Sequence, residues 1–283
     1  MTEKYAYICT NYNNSNFSID ASESFLTQFG EHATVIIVDN GSDRNFVNDL
    51  NNYANGKVNV VILDTRENTG YFSGLNQGLE FICTMHDAPK WVFVGNNDLI
   101  FQDGIADAVA SKLKFLESFP VISPNLITLD GIHQNPHIIS GISHFRRFVY
   151  SFYYRNFLLA RLIIAITRMS QSFSKRPDTN SWRIGQKIWA GHGACYLLTP
   201  DFFKKMCRLD SHSFLYFEEV FLAQQIERLG GSIWYEPSLV IKHLCNGSIG
   251  KLPNRKVWEF SRDAYNAYLG QVSESKDGVR RKL

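Results

Sequence analysis

Long apolar runs are missing from this chain. No stretch approaches the roughly 20 residues that span a bilayer, so no integral membrane segment is expected. A cysteine framework is missing too. The five cysteines, Cys9, Cys83, Cys195, Cys207 and Cys245, are scattered without a CxxC, which excludes a zinc ribbon or a disulfide scaffold. Cys9, Cys83 and Cys195 lie in apolar runs and read as reduced packing residues of a cytosolic protein. Excess charge is slight. A formal net charge of +2 excludes nucleic acid as the main partner. There is no repeat and no low-complexity segment. Met1-Thr2-Glu3-Lys4 leads directly into a strand-like run, so no signal peptide is expected and a cytoplasmic location follows.

What is present is a folded composition: 45% hydrophobic against 20% charged residues excludes a disordered chain. The 283 residues suit one large α/β domain or two small ones. Strand-like runs at Tyr5 to Thr10, Thr34 to Asp39, Val58 to Leu63 and Trp91 to Val94 alternate with helical patterns at Ser18 to Phe29, Phe46 to Tyr53 and from Asn68 to about His86. That rhythm predicts a Rossmann-like, mostly parallel sheet with helices on both faces. Further on, Asp103 to Phe119 reads as one helix capped by Asp103, and Val121 to Ile127 as a strand. Gly193 to Leu198 is a strand, and Thr199-Pro200 starts a short helix. A helix over Phe217 to Leu229 stops at Gly230-Gly231. Short strands at Ser232 to Tyr235 and Leu239 to Ile241 follow, then a helix over Val257 to Leu269 and a loose basic tail.

Three of the early strands end in amide- or carboxylate-bearing loops: Asn11 to Asn16, Asp39 to Asp43, and Asn96-Asn97-Asp98. In a parallel sheet these loops share one edge, where ligands of open α/β folds bind. Loops are polar in any protein, but three aligned ones suit a base and ribose. Gly70, Gly74 and Gly78 recur every four residues and share one helix face, which permits close packing on a strand or a ligand. They match neither G-x-G-x-x-G nor the Walker pattern. Glu218-Glu219 at a helix start either favours the helix dipole or removes a proton from a substrate hydroxyl. His243, after a strand, is either a satisfied surface histidine or a partner of Asp98 for a divalent ion such as Mn²⁺ or Mg²⁺.

In order along the chain, Val38-Asp39-Asn40-Gly41-Ser42-Asp43, Asn68-x-Gly70, Gly74-x-Asn76-x-Gly78, Asn96-Asn97-Asp98, Gly193-Ala194, Phe214 to Val220, and His243 with Gly247-Ser248 resemble family 2 glycosyltransferases, and their bacterial rhamnosyltransferase-like branch in particular. The resemblance extends from about Tyr5 to Leu269. It implies a GT-A fold in one domain over 1–283: a nucleotide-sugar half at 1–128, an acceptor half at 129–253 and a C-terminal helix and tail at 254–283. It implies that Thr10, Asn11 and Asp39 contact the nucleoside, with Asn68, Gly70 and Asn76 near the nucleotide-sugar. Asn97 shapes the loop or touches the donor. Asp98 matches the last acid of the family's metal motif, His243 its later metal-binding histidine, and Glu219 the catalytic base, with Glu218 as the alternative. Two departures stand out: the usual D-x-D is Asn96-Asn97-Asp98, and the usual Glu-Asp pair is Glu218-Glu219.

The implied activity is inverting transfer of a hexose, rhamnose or another, from a nucleoside-diphosphate sugar to a lipid-linked bacterial surface glycan. A non-catalytic nucleotide- or glycan-binding protein is the alternative, and a nucleotidyltransferase a weaker one, since Asn11 to Asn16 is not basic. Residues 145–173 break the α/β rhythm with five arginines, no acid and many large apolar residues. As one continuous helix they would gather Arg146, Arg147, Arg161 and Arg168 in an arc of roughly 100°, with Arg155 opposite. Such a helical insertion either packs on the domain or touches an anionic membrane from the cytoplasmic side.

Overall fold

A computed structural model describes residues 3–169, 181–244 and 255–280. One mixed sheet organises the chain. Its first four strands are β1 (Tyr5–Asn11), β2 (Ala33–Asp39), β3 (Val60–Asp64) and β4 (Trp91–Asn96). They pair in parallel in the order β3-β2-β1-β4. β1, β2 and β4 are rich in β-branched and aromatic residues and are buried on both faces, as parallel strands under helices must be, while β3 at the sheet's edge is only partly buried. Alternation along β1 and β4 splits the core in two. Tyr5, Tyr7, Cys9, Trp91 and Phe93 enter one layer with helix α1 (Ser15–Phe29). Ala6, Ile8, Val92 and Val94 enter the other with helix α3 (Tyr71–Thr84). Helix α2 (Arg44–Ala54) joins β2 to β3.

In the first layer Phe25 meets Phe93 and Phe101 edge-on, with ring centroids 5.8 and 5.0 Å apart. Burying a Phe stabilises the fold by about 1.5–3 kcal/mol, and edge-on pairing adds about 0.5–1.5 kcal/mol. In the second layer the repeated glycines serve packing against a strand. A Cβ at Gly78 would stand 2.4 Å from Ile8 Cγ2, and one at Gly74 2.8 Å from Thr10 Cγ2, so α3 lies directly on β1.

The second half of the sheet is mixed. Strand β5 (Leu99–Phe101) follows β4 directly; β6 (Val121–Thr128), β7 (Gln186–Ile188), β8 (Cys195–Leu198) and β9 (Ile233–His243) complete the order β4-β8-β6-β9-β5, with β7 on β9. Strand β8 runs antiparallel to β4, and β5 antiparallel to β9. The chain leaves β1 toward β2 and β3 and returns to β4 on the other side of β1. The carboxyl ends of β1 and β4 therefore frame a topological switch point.

Several expectations change. Residues 103–119 form two short helices, α4 (Ile105–Ala110) and α5 (Leu113–Leu116), and Asp103 accepts from Gln28 Nε2 instead of capping. The backbone leaves helical geometry at Lys112 (φ −123°), whose Nζ reaches Glu236 Oε1 at 2.7 Å. The two strands expected over 232–241 are one strand, β9. A register shift opposite Pro124/Asn125 sets residues 237–239 outside the ladder, so Pro237, which has no N–H to offer, is accommodated in a bulge. Residues 145–169 are two helices, α6 (His144–Tyr153) and α7 (Phe157–Met169), broken at 154–156, so the arginines form no single arc and Arg155 sits in the break. Helices α8 (Pro200–Lys205) and α9 (Glu218–Arg228) follow, and α10 (Arg255–Arg280) continues through the tail expected to be loose. Cys9 and Cys195 are buried as expected, whereas Cys83 is exposed. Cys245 and Gly247-Ser248 lie outside the described residues.

A third, smaller apolar cluster joins Ile142, Phe217, Val220 and Phe221 to Ala264, Tyr265 and Tyr268 of α10, with Tyr150 of α6 and Tyr154 just after that helix against it. It attaches α6, α9 and α10 beside the carboxyl edge of the sheet.

Candidate active site

Sheet pairing assembles the site. Strand β4 ends at Asn96, whose N–H donates to Ala194 O at 2.8 Å, bringing Gly193-Ala194 beside it. Leu99 pairs with His243, and Leu244 N donates to Asp98 O at 2.9 Å, so Asp98 and His243 meet although 145 positions separate them. Asp98 Oδ1 lies 3.3 Å from His243 Nε2. Gln134 Oε1, 2.7 Å from Nδ1, places the ring proton on Nδ1. Nε2 then presents a lone pair toward Asp98 Oδ1, a buried oxygen with no hydrogen-bond donor. Asn96 Nδ2 approaches Nε2 at 3.2 Å. Two facing acceptors, one a carboxylate, suit a divalent cation. Among the described residues no group of three or more His, Cys, Asp or Glu could hold a metal, so the pair would supply two ligands and leave the remaining positions to a substrate.

The nucleoside candidates form a buried network at the switch point. Asn11 donates to Asp39 Oδ2 at 2.7 Å and accepts from Ser18 and Asn97. Asp39 Oδ1 accepts from Ser42 N. Asn97 also donates to Asn14 and Ser18, so its amide belongs to the loop frame. Asn68 and Gly70 are held by Asn40, a buried residue that the motif contains but to which the sequence assigned no role. Asn40 Nδ2 donates to Asn68 Oδ1 and Gly70 O, and its Oδ1 accepts from Thr69 N. Gly70 needs its positive φ of 94° and the absence of a Cβ, which would stand 2.5 Å from Phe214 O. Thr10 lies at the end of β1 under Gly74. Asn76 stands apart from this edge: its amide is spent on Leu209, donating to the carbonyl at 2.9 Å and accepting from the N–H at 2.8 Å.

Beyond Asn96 opens a cavity of about 500 Å³ lined by Tyr71, His137, Tyr150, Tyr154, His192 and the 215–219 segment. Both glutamates face it. Helix α9 starts after Tyr216 and Phe217, whose positive φ values of 73° and 65° turn the chain sharply into the site. Glu218 Oε1 accepts from Tyr216 N at 2.8 Å and so braces this turn. Burial, and secondarily the charge of Glu219, raises the Glu218 carboxyl to about 7. Burial also raises Glu219, which faces Gly193, where a Cβ would come within 3.5 Å of its Oε2. Tyr71 donates to Gly193 O at 3.0 Å, and burial, then the charge of Glu218, holds its phenol well above the ordinary value. Tyr71, Gln134, Tyr150, Tyr154 and His192 carried no motif. Their only signal was position, which the fold supplies.

The family described as glycosyl transferase family 2 matches residues 7–152, just over half of the chain. No curated protein sequence matches. Among solved structures, S. aureus TarS 1–349 aligns with a TM-score of 0.53 at 11% identity, over 85% of this chain and 60% of that one. GalNAc-T7, solved with UDP, GalNAc and Mn²⁺, aligns with a TM-score of 0.59 at 12% identity, over 90% of this chain and 46% of that one. The chain thus spans about half to three-fifths of the length of these two structures, and at such identities the likeness is one of fold. It is the GT-A architecture expected from the motifs: an α/β sheet whose first four strands are parallel and covered by helices. By its sequence and its fold, this chain belongs to glycosyl transferase family 2.

Proposed function

We propose that the chain is an inverting glycosyltransferase that moves a hexose from a nucleoside-diphosphate sugar to a lipid-linked glycan. The observation that carries this reading is the convergence of the Asp98–His243 acceptor pair and Glu219 around Asn96 and the cavity beside it. The donor's nucleoside lies on the Thr10, Asn11, Asp39 edge, with the Asn68–Gly70 loop near its sugar. In this reading residues 1–128 form the nucleotide-sugar half and 129–253 the acceptor half.

Asp98 and His243 would hold a divalent ion, which when bound offsets charge on the diphosphate leaving group. The UDP and Mn²⁺ in the GalNAc-T7 structure support that assignment. Glu219 accepts the proton of the acceptor hydroxyl as that oxygen attacks the anomeric carbon. Burial raises its proton affinity, which favours proton capture, and attack from the side opposite the leaving group gives inversion through an oxocarbenium-like transition state. Glu218, tied to Tyr216 N, holds the turn that aims Glu219. The aromatic and hydroxyl-bearing wall of Tyr71, Tyr150 and Tyr154 offers ring faces and hydrogen bonds to an acceptor sugar.

Incubation with a panel of nucleotide-sugars and Mn²⁺ tests the reading. One donor should release its nucleoside diphosphate in step with acceptor modification. Tight donor binding without any release would identify a non-catalytic binding protein instead.

A further inference from the structure

The cavity wall formed by α6 has an outer side with a different character. Tyr150 and Tyr154 turn inward against Phe217 and Tyr265. Phe145, Phe148 and Phe152, at i, i+3 and i+7, share the opposite face. Helix α7 repeats the pattern. Its inner face is fixed by the fully buried Ala160 and by Phe157 against the Trp258 ring, while Leu158, Leu162 and Ile166 point outward. These six outer side chains are between 42% and 69% exposed. Large apolar residues scattered singly on a surface need no explanation, but two exposed stripes on consecutive helices that pack on each other mark an interaction site.

The charge around this patch identifies what covers it. Residues 131–177 contain no Asp or Glu. Arg146, Arg147, Arg155 and Arg161 are exposed, and no carboxylate among the described residues pairs with them. On α6, Arg146 and Arg147 leave the helix on either side of the Phe stripe, each about 100° from the nearest Phe. Long guanidinium side chains flanking an apolar stripe reach anionic headgroups while the stripe enters the acyl boundary. A second copy of this chain is a poorer fit, because a two-fold contact would place arginine against arginine. No helix among the described residues is long and apolar enough to cross a membrane, so the contact lies in the plane of the surface.

We propose that the outer faces of α6 and α7 dock on an anionic lipid bilayer, with the Phe, Leu and Ile side chains inserted and the four arginines on headgroup phosphates. The inner face of the same helix lines the cavity, so docking sets the acceptor side of the site at headgroup level. That last consequence rests on the glycosyltransferase reading; the docking itself does not.

The test is co-sedimentation of the full chain with phosphatidylcholine vesicles, with and without phosphatidylglycerol, alongside sedimentation velocity without lipid. No donor or acceptor is present, so failure of transfer and failure of docking are read separately. The chain should bind the anionic vesicles strongly and the zwitterionic ones weakly. Binding should fall about fivefold per arginine replaced by Gln, and several-hundredfold in R146Q/R147Q/R155Q/R161Q. F148S/L162S should also lose binding with an unchanged circular dichroism spectrum. Equal binding to both vesicles, or to neither, overturns the proposal. So does a dimer in solution that F148S/L162S dissociates, which would assign the patch to a second copy.

Discussion

Glu218 and Glu219 are chain neighbours in different surroundings, and the proposed reaction gives them separate tasks on that geometric ground. Glu218 is buried and bonded to Tyr216 N; Glu219 faces the cavity beside Gly193. Glu219→Gln keeps the shape and removes the base, so transfer should fall about 10²- to 10⁴-fold while donor binding, read by calorimetry, stays within error. Wild-type turnover in that variant would remove Glu219 from the reaction. Glu218 makes a prediction about stability. Its folded-state carboxyl is raised to about 7, so between the ordinary carboxylate range and pH 7 the folded state binds more protons than the unfolded one. Stability contributed by the protonated form is full below that window and is lost as pH rises through it, by up to about 3 kcal/mol. Glu218→Gln should flatten this loss in urea midpoints measured from pH 5 to 8; an unchanged slope would assign it elsewhere. Gln134 belongs at the same scale. It touches His243 Nδ1, not the reacting groups, so it is a positioning residue. Gln134→Leu frees the ring to change tautomer and should weaken Mn²⁺ binding, followed by electron paramagnetic resonance, by about 10- to 100-fold. An unaltered affinity would make Gln134 a packing residue only.

Helix α3 sits closer to β1 than side chains normally allow. Gly74 and Gly78 bring it down on Thr10 and Ile8, which places its start, Gly70-Tyr71, against Phe214 O and beside the cavity. Gly78→Val would drive a branched side chain into Ile8. The cost should be about 1–3 kcal/mol, read as a lower Tm, and donor affinity should weaken with it as the Asn68–Gly70 loop lifts. A Tm equal to wild type would show that α3 can slide. The glycine periodicity marked this face in the sequence but left strand and ligand equal as its partner. Only the register of α3 on β1 separates them. Elements with strong local patterns, such as β1, β2, β4 and α1, appear within a few residues of where their apolar residues place them. Elements set by distant partners do not. Strand β5 is three residues long and exists because β9 pairs with it. The helix expected over 103–119 is divided at Lys112, which reaches across the chain to Glu236.

At the scale of the molecule, two packed layers on either face of the sheet carry the core, while α6, α9 and α10 hold together through a separate, smaller cluster. The smaller cluster buries less apolar surface, so hydrogen exchange should be faster in α6 than in β1, β2 and β4, which open only with global unfolding. Equal protection would show one cooperative unit. The sequence by itself determined the α/β class, because strands buried on both faces and separated by amphipathic helices have few other ways to exclude water. It also determined which side chains end at the sheet's carboxyl edge, since Asp39, Asn96 and Asp98 directly follow buried runs. Which of them act together was a tertiary decision. Asp98 meets His243 only because β5 and β9 are antiparallel neighbours, Gln134 reaches the same ring from the turn after β6, and Glu219 turns toward Gly193 only because β8 lies antiparallel to β4. Asp98 and Gln134 each lie more than a hundred positions from His243, and no local pattern of hydrophobicity or charge encodes such meetings.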